Sequence, residues 1–196
     1  MIAIIDYDMG NLRSLENALS RLGATFEVTA DPDAIRRADK VILPGVGHAG
    51  KAMENLTDRG LPAVIRSLRQ PVLGICVGMQ VLCRDSEEAP GQPCLGVFDA
   101  HVRRFVPGPD LKVPHMGWNT LGNLESKLLR ELPPQPWVYF VHSYYAATGP
   151  DTIATTRYGD ILLSAALKYE QFYGTQFHPE KSGDTGERIL QNFLAL

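Results

Sequence analysis

The first 84 residues alternate short apolar runs with segments whose apolar residues recur at helical spacing. The apolar runs are residues 2–7, 25–29, 41–43 and 72–75, and each is followed by a segment of helical character. The clearest helical segment is ended by Gly23 and carries Leu12, Leu15, Leu19 and Leu22. Runs that are apolar throughout are typical of parallel strands covered on both faces. This repeated strand–helix order predicts a doubly wound, mostly parallel sheet.

The pattern changes after Glu87, where Pro and Gly become frequent as far as Pro136. The apolar runs that follow are short and close together, at residues 96–105, 137–146, 161–169 and 173–177. They predict antiparallel strands and hairpins on the same core. Thr185 is predicted to cap a last helix, whose buried side carries Ile189, Leu190, Phe193 and Leu194. We therefore expect one α/β domain over residues 1–196, with antiparallel strands in its C-terminal half.

The composition excludes several classes of protein. Lys and Arg number 19 against 22 Asp and Glu, without a basic block, so neither nucleic acid nor an anionic membrane is an expected partner. The three cysteines, Cys76, Cys83 and Cys94, do not have the spacing of a disulfide framework or a zinc site. No apolar stretch approaches the ~18 residues of a membrane span, and the first residues resemble a buried strand more than a signal peptide. We expect a cytoplasmic protein without a metal or organic cofactor.

Cys76 lies in the segment Gly74-Ile75-Cys76-Val77-Gly78-Met79-Gln80, where the fourth strand runs into a helix. Glycines two positions away on each side allow a tight turn in which backbone segments approach closely. Such a turn strains the dihedral angles of the nucleophile and places its sulfur at a helix N-terminus, which favours the thiolate. A cysteine of a buried strand is the alternative, but the glycine frame favours a nucleophile.

His178 and Glu180 are the best candidates for the base and for the group that orients it. In Phe177-His178-Pro179-Glu180 the histidine ends an apolar strand, and Pro179 prevents the strand from continuing. Glu180 lies two residues further on, so both side chains can leave the chain on the same side. A carboxylate in that position holds an imidazole in one tautomer and stabilises its protonated form.

Acyl transfer also needs N–H donors for the oxyanion that develops. The Val77 N–H, immediately after the nucleophile, is one candidate. The loop Leu43-Pro44-Gly45-Val46-Gly47 follows the third strand and should lie beside Cys76, so Val46 and Gly47 are further candidates. A plain glycine turn between strand and helix is the alternative for this loop.

The elbow, the Pro-Gly-Val-Gly loop and the terminal His-Pro-Glu together resemble the class I (triad) glutamine amidotransferases, over essentially the whole chain. The resemblance implies a doubly wound α/β fold with Cys76 as nucleophile, His178 as base and Glu180 as its orienting carboxylate. It also implies a glutamine pocket formed by Gly47, Gln80, Glu88, Ser143 and Tyr144. Glu88 would hold the substrate ammonium, together with backbone groups of the last two residues.

Three further segments are similar to the glutaminase subunits of imidazole glycerol phosphate synthase, an enzyme of histidine biosynthesis. They are residues 114–119, 139–144 and 178–182. This resemblance implies a separate (β/α)8 cyclase subunit that uses the ammonia. The partner is expected at the sheet edge that carries the catalytic groups, on Asn11, Met116, Trp118, Tyr139 and Lys181. Ala49 departs from the aromatic residue expected after His48.

Other functions remain open at this stage. A glutaminase subunit of another pathway, such as vitamin B6 or anthranilate synthesis, is disfavoured by residues 114–119. A partner-independent hydrolase of peptides or γ-glutamyl conjugates is disfavoured by Gln80 and Glu88, and a non-enzymatic subunit by the complete triad. We expect structural hydrogen bonds for His115 and His142 rather than proton transfer, while Cys83 is expected to fill the core.

Overall fold

The computed structural model describes residues 1–108 and 111–196. Within these residues the strands are β1 Ile2–Ile5, β2 Phe26–Thr29, β3 Lys40–Leu43, β4 Val72–Ile75, β5 Asp85–Ser86, β6 His101–Arg104, β7 His115–Thr120, β8 Trp137–His142, β9 Tyr144–Ala146, β10 Thr152–Tyr158, β11 Ile161–Tyr169 and β12 Phe172–Thr175. The helices are α1 Leu12–Arg21, α2 Pro32–Arg37, α3 Ala49–Asp58, α4 Leu61–Ser67, α5 Val77–Leu82 and α6 Gly183–Leu194. Two 3-10 turns, Lys127–Leu129 and Pro179–Lys181, complete the regular structure of the described residues.

A seven-stranded sheet in the order β10-β11-β12-β4-β3-β1-β2 forms the centre of the fold. Strands β2, β1, β3, β4 and β12 are parallel, while β11 is antiparallel to both β12 and β10. Every residue of β1 and β4 is buried, as expected for strands covered by helices on both faces. The predicted fold class is confirmed: a doubly wound, mostly parallel sheet with antiparallel strands in the C-terminal half.

Two smaller sheets lie beside the central one. Strands β5, β6 and β9 form the first, and the antiparallel hairpin of β7 and β8 forms the second. The hairpin pairs His115 with His142 and Trp118 with Tyr139. Two bonds join it to the chain after β12: the His178 N–H donates to the Tyr139 carbonyl, and the Tyr139 N–H donates to the Ser182 hydroxyl. The hairpin therefore lies directly against the proposed base.

Some boundaries differ from the sequence-based expectations. Strands β7 and β10 were not predicted, because their polar residues and Gly117 hide the alternation that usually marks a strand. In residues 96–105 only His101–Arg104 forms a strand. The run 173–177, expected to be antiparallel, forms β12, which is antiparallel to β11 but parallel to β4, so it extends the parallel part of the sheet.

The last helix does not begin where it was expected. The prediction that Thr185 caps it was wrong: α6 starts at Gly183, and Ser182 is its N-cap. The chain enters this helix directly from the turn Pro179–Lys181, so the helix starts earlier than the cap signal suggested. Ile189, Leu190 and Phe193 are buried as predicted, while Leu194 is only partly buried. In the part of the chain that the structure describes, no helix has the length and apolar character needed to cross a bilayer.

Candidate active site

Cys76 occupies a strained turn between β4 and α5. Its φ of 54° and ψ of −111° are unusual for a residue with a side chain. The flanking glycines are needed for space, because a Cβ on Gly78 would lie 1.9 Å from the Leu43 carbonyl oxygen. A Cβ on Gly74 would lie 2.8 Å from the Gly78 carbonyl oxygen. Both predicted features of the elbow, strain at the cysteine and close backbone contact at the glycines, are present.

His178 and Glu180 form a buried pair behind this turn. Nδ1 of His178 lies 2.7 Å from Oε1 of Glu180, and the two side chains are only 2% and 4% exposed. Burial lowers the pKa of His178, but its interactions with Cys76 and Glu180 outweigh burial and raise the pKa above its usual 6.5. Nε2 makes no complete hydrogen bond to any described residue. The imidazole is thus oriented by the carboxylate and favoured in its protonated form, with Nε2 left for the reaction.

A cavity of about 260 Å³ opens in front of Cys76 and His178. Its walls contain every residue expected in the glutamine pocket or the oxyanion site: Val46, Gly47, Val77, Gln80, Glu88, Ser143 and Tyr144. Glu180 does not line the cavity, because it lies on the far side of His178. The volume is at the lower end for ligand sites, which suits a small metabolite.

Glu88 and His48 are both fixed at the start of α3. The Ala49 N–H donates to Oε2 of Glu88 over 2.6 Å, so one carboxylate oxygen is held at the helix N-terminus. His48 is the N-cap of the same helix, and its Nδ1 accepts hydrogen bonds from the N–H groups of Gly50 and Lys51. His48 therefore caps α3, and Ala49 is a fully buried residue that helps to hold Glu88.

The loop after β3 packs on the elbow and changes the expected oxyanion site. The Val77 N–H, a candidate oxyanion donor, instead donates to the Gly45 carbonyl over 3.3 Å. The loop can approach the elbow this closely because residue 45 is glycine: a Cβ there would lie 2.5 Å from the Gly78 nitrogen. In this conformation the loop presents a carbonyl, not an N–H, beside the nucleophile.

Tyr7 anchors the start of this loop and was missed in the sequence analysis. Its buried hydroxyl donates to the Pro44 carbonyl, and its own carbonyl accepts from Nδ2 of Asn55. Burial and the negative charge of a nearby Cys76 thiolate raise the pKa of Tyr7 above its usual 10, so the phenol stays protonated. The available signal was a tyrosine at the end of the apolar run 2–7, but its partner lies 37 residues away.

His115 and His142 form one buried hydrogen bond, with Nδ1 of His115 2.9 Å from Nε2 of His142. Nδ1 of His142 lies 2.7 Å from the Tyr144 carbonyl, to which it must donate. Burial lowers the pKa of His115 to about 4 and that of His142 to about 3, so both rings are neutral at pH 7. Structural hydrogen bonds were expected for both, and the geometry agrees.

The five residues expected at a partner interface lie on the β7–β8 hairpin, on the turn that follows His178 and at the start of α1. Trp118 is 52% and Met116 62% exposed on β7, and the Trp118 ring makes an edge contact with Tyr139, at 6.1 Å between centroids. Lys181 is exposed on the turn that follows His178, while Asn11 is exposed and lines a small space with His178 and Glu180. Trp137, which was not predicted, is 56% exposed on the same hairpin.

Comparisons with known proteins show to which family the chain belongs. A family model described as "Glutamine amidotransferase class-I" matches residues 3–196. The chain is 53% identical over 196 residues to "Imidazole glycerol phosphate synthase subunit HisH" of Bacteroides thetaiotaomicron, covering 100% of this chain and 99% of the relative. It is 45% identical over 202 residues to the protein of the same name from Nostoc punctiforme, covering 100% and 95%.

Solved structures support the fold. A structure described as a glutamine amidotransferase superimposes with a TM-score of 0.76 at 22% identity, covering 100% of this chain and 98% of that one. A putative GMP synthase protein from Thermoplasma acidophilum gives a TM-score of 0.75 at 21% identity, covering 99% and 92%. At such identities the superpositions speak for the fold alone. Together with the match of the family model along almost the whole length, they lead to one conclusion: the chain belongs to the class-I glutamine amidotransferase family.

Proposed function

We propose that this chain hydrolyses glutamine to glutamate and ammonia and delivers the ammonia to a cyclase subunit. The cyclase would make imidazole glycerol phosphate and aminoimidazole-carboxamide ribotide in histidine biosynthesis, as the names of the relatives suggest. One observation carries the chemistry: a carboxylate-bound imidazole faces a strained cysteine on the wall of one cavity. We place the whole activity in one domain over residues 1–196 of a cytoplasmic protein.

The first half of the reaction forms a thioester. The Cys76 thiolate attacks the carboxamide carbon of glutamine, and a carbon–sulfur bond forms while the carbonyl oxygen takes up the negative charge. Nε2 of protonated His178 then gives its proton to the nitrogen, the carbon–nitrogen bond breaks, and ammonia leaves. The raised pKa of His178 supports this role, since the imidazolium–thiolate pair is the reactive form.

The second half returns the enzyme to its starting state. Water attacks the γ-glutamyl thioester while His178 accepts its proton, and the carbon–sulfur bond then breaks to release glutamate. Glu180 stays ionised and holds the ring by its bond to Nδ1. Every step uses groups of the chain and water, so the proposed reaction calls for no metal and no organic cofactor.

The substrate would be held by groups of fixed orientation. Glu88 offers its remaining carboxylate oxygen to the substrate ammonium, and Gly47, Ser143 and Tyr144 offer backbone groups on the cavity wall. Gln80 donates through Nε2 to Tyr144 and to Gln176, so the group it has left for a ligand is its oxygen. We propose that this oxygen accepts a hydrogen bond from an N–H of the substrate.

The loop after β3 would switch the activity. In the structure the Val77 N–H donates its hydrogen bond to the Gly45 carbonyl. Rotation of the Gly45–Val46 peptide would release that donor and turn the Val46 N–H toward the site, next to Gly47. Loss of one oxyanion donor costs roughly 10²- to 10³-fold in rate, so the chain alone should be a poor glutaminase.

The partner would cover the sheet edge that carries the triad, so that ammonia does not escape into water. We propose Trp118 as an anchor of this interface, with Asn11, Met116, Tyr139 and Lys181 as further contact residues. Exposed aromatic and methionine side chains of this kind are enriched at protein interfaces.

The decisive experiment compares wild-type and Cys76→Ala complexes with the cyclase subunit. The mutant should release no ammonia from glutamine, yet ammonium salts should still support cyclisation. Glutamine hydrolysis by the mutant at more than a few per cent of the wild-type rate would refute the triad. Equal hydrolysis of glutamine and of a γ-glutamyl peptide, with no cyclase bound, would favour a partner-independent hydrolase instead.

A further inference from the structure

Gln176 is a fully buried polar side chain beside the sulfur of Cys76. It lies between β12 and His178, and its exposed fraction is 0%. Nε2 of Gln176 is 3.8 Å from Sγ of Cys76, within the range of a hydrogen bond to sulfur. The described walls of the cavity do not include Gln176. A substrate in the cavity would therefore not touch it, and any effect on the reaction must pass through Cys76.

The orientation of this amide is fixed by its neighbours. The Tyr144 carbonyl can only accept, so the group 3.0 Å away on Gln80 must be its NH2. The same NH2 lies 3.0 Å from the Gln176 amide and takes its oxygen as acceptor. The NH2 of Gln176 is consequently turned toward Sγ of Cys76. If the Gln176 amide were flipped, its NH2 would face the NH2 of Gln80 in the protein interior with no acceptor between them, which costs free energy.

The Tyr144 carbonyl is itself held by a second set of hydrogen bonds that begins on β7. Nδ2 of Asn119 donates to Nε2 of His115, whose Nδ1 donates to His142. Nδ1 of His142 then donates to the same Tyr144 carbonyl that Gln80 uses. Because the Tyr144 carbonyl can only accept, each imidazole in this set has one donating and one accepting nitrogen, and the direction of every bond is fixed. The orientation of the group at Sγ is thus coupled to the β7–β8 hairpin.

Two polar groups besides His178 approach the sulfur, and they favour opposite protonation states. The Val141 carbonyl, 3.9 Å from Sγ, can accept from a thiol but repels a thiolate. The Gln176 N–H donates to sulfur and is favourable toward the thiolate, because hydrogen bonds to an ionised acceptor are stronger than neutral ones. Without this donor, the carbonyl would favour the less reactive thiol.

We propose that Gln176 is a positioning residue whose N–H stabilises the Cys76 thiolate and fixes its direction in the cavity, and that Gln80 and the Tyr144 carbonyl hold Gln176 in the orientation that does so. The inference rests on the proposed function, in which Cys76 is the nucleophile. It adds to that function a fully buried residue that does not line the cavity.

The test uses three variants in the complex with the cyclase subunit. Gln176→Met keeps the side-chain volume and removes the donor. Gln176→Glu keeps the shape but turns a carboxylate oxygen toward the sulfur. Gln171→Met is the matched control, since it removes an amide that donates to the Leu68 carbonyl far from the site.

The main readout is the rate of iodoacetamide alkylation of Cys76 at pH 7.5, assigned to that residue by fragment-ion mass spectrometry because Cys83 lies in the same tryptic peptide. Gln176→Met should slow alkylation about tenfold to a hundredfold, and Gln176→Glu should slow it further, while the control matches wild type. The kcat for glutamine should fall by a similar factor in Gln176→Met, with KM within about twofold.

Each other result is decisive. Alkylation of Gln176→Met at the wild-type rate overturns the inference. Alkylation rates that fall equally in the Met and Glu variants, in proportion to their loss of thermal stability, also overturn it, because such losses indicate an effect of packing alone. If the Glu variant does not fold, Gln176→Met decides together with Gln80→Met, which frees the Gln176 amide and should also slow alkylation. A Cys76→Ala complex that still hydrolyses glutamine overturns the proposed function itself. An inactive Cys76→Ala with an unaffected Gln176→Met overturns only the role of Gln176.

Discussion

Replacement of Glu180 by Gln would remove the charge behind the base while preserving its shape. The amide oxygen can still accept from Nδ1 of His178, so the ring should keep its direction. What disappears is the attraction between a carboxylate and an imidazolium whose side chains are 4% and 2% exposed. With charge centres about 4 Å apart and an effective dielectric constant of about 20, that attraction is ~4 kcal/mol. A loss of this size corresponds to roughly a 10³-fold fall in kcat.

The assay is glutamine hydrolysis by the complex with the cyclase subunit, in the presence of the cyclase ligand. KM should change little, because Glu180 does not line the cavity. Glu131→Gln is a matched control, since Glu131 forms an exposed ion pair with Arg188 that should have no effect on rate. A kcat for Glu180→Gln within tenfold of wild type would refute the reasoning, because it would mean that orientation alone, without charge, is sufficient.

The same substitution has a pH signature in stability. The folded state raises the pKa of His178, so the stabilisation from its protonated form is complete below the unfolded value of about 6.5 and is lost as pH rises through the raised value. Glu180→Gln should therefore lower the free energy of unfolding most below pH 6.5, and less at higher pH. Urea unfolding of both proteins at several pH values measures this. A difference that grows with pH would contradict the sign.

The remaining predictions concern the interface, the loop and the buried histidines. Trp118→Ala should weaken association with the cyclase subunit by roughly 2 kcal/mol or more, measured by calorimetry, and an unchanged Kd would exclude it as an anchor. Glutamine turnover should rise from the chain alone to the complex and again on addition of a cyclase substrate analogue, and equal turnover in all three would exclude the switch. Burial depresses the pKa of His115 to about 4 and of His142 to about 3, so their contribution to stability should be lost as pH falls from about 6.5 toward 4. Unfolding experiments on a His115→Phe/His142→Phe double variant should show a flatter pH dependence in this range.

Local chemistry explains which parts of the site could be predicted from the sequence. Two parts of the site are determined by a few neighbouring residues. The glycines that flank Cys76 determine its tight turn, and the two-residue spacing of His178 and Glu180 allows their side chains to pair. The parallel sheet then brings these two segments together, since β12 pairs directly with β4. That pairing was not predicted, because residues 173–177 were expected to form an antiparallel strand, whereas β12 is parallel to β4 and antiparallel only to β11.

Interactions between distant segments explain what could not be predicted. Gln176 follows Thr175 in a short, largely apolar run, and nothing local marks it as a site residue. The orientation of its amide depends on Gln80, 96 residues away. Strand β7 has no clear alternation, and it forms because β8 pairs with it along its whole length. The cap at Ser182 follows from the turn before it rather than from its own side chain, which is occupied by His178 and Tyr139.

The conformation of the loop after β3 depends on the free energy of one hydrogen bond, which no sequence pattern reveals. The Val77 N–H donates to the Gly45 carbonyl. A buried hydrogen bond of this kind stabilises the folded state by about 1 kcal/mol net, and leaving either group buried without a partner costs more than that. An active site must break that pair and leave the N–H for an oxyanion that is present only during the reaction. Tyr7 holds Pro44 on one side, so the proposed rotation would be confined to the peptide between Gly45 and Val46. In the proposed switch, the free chain would rest with its donor satisfied, and binding of the cyclase would have to supply the energy to release it.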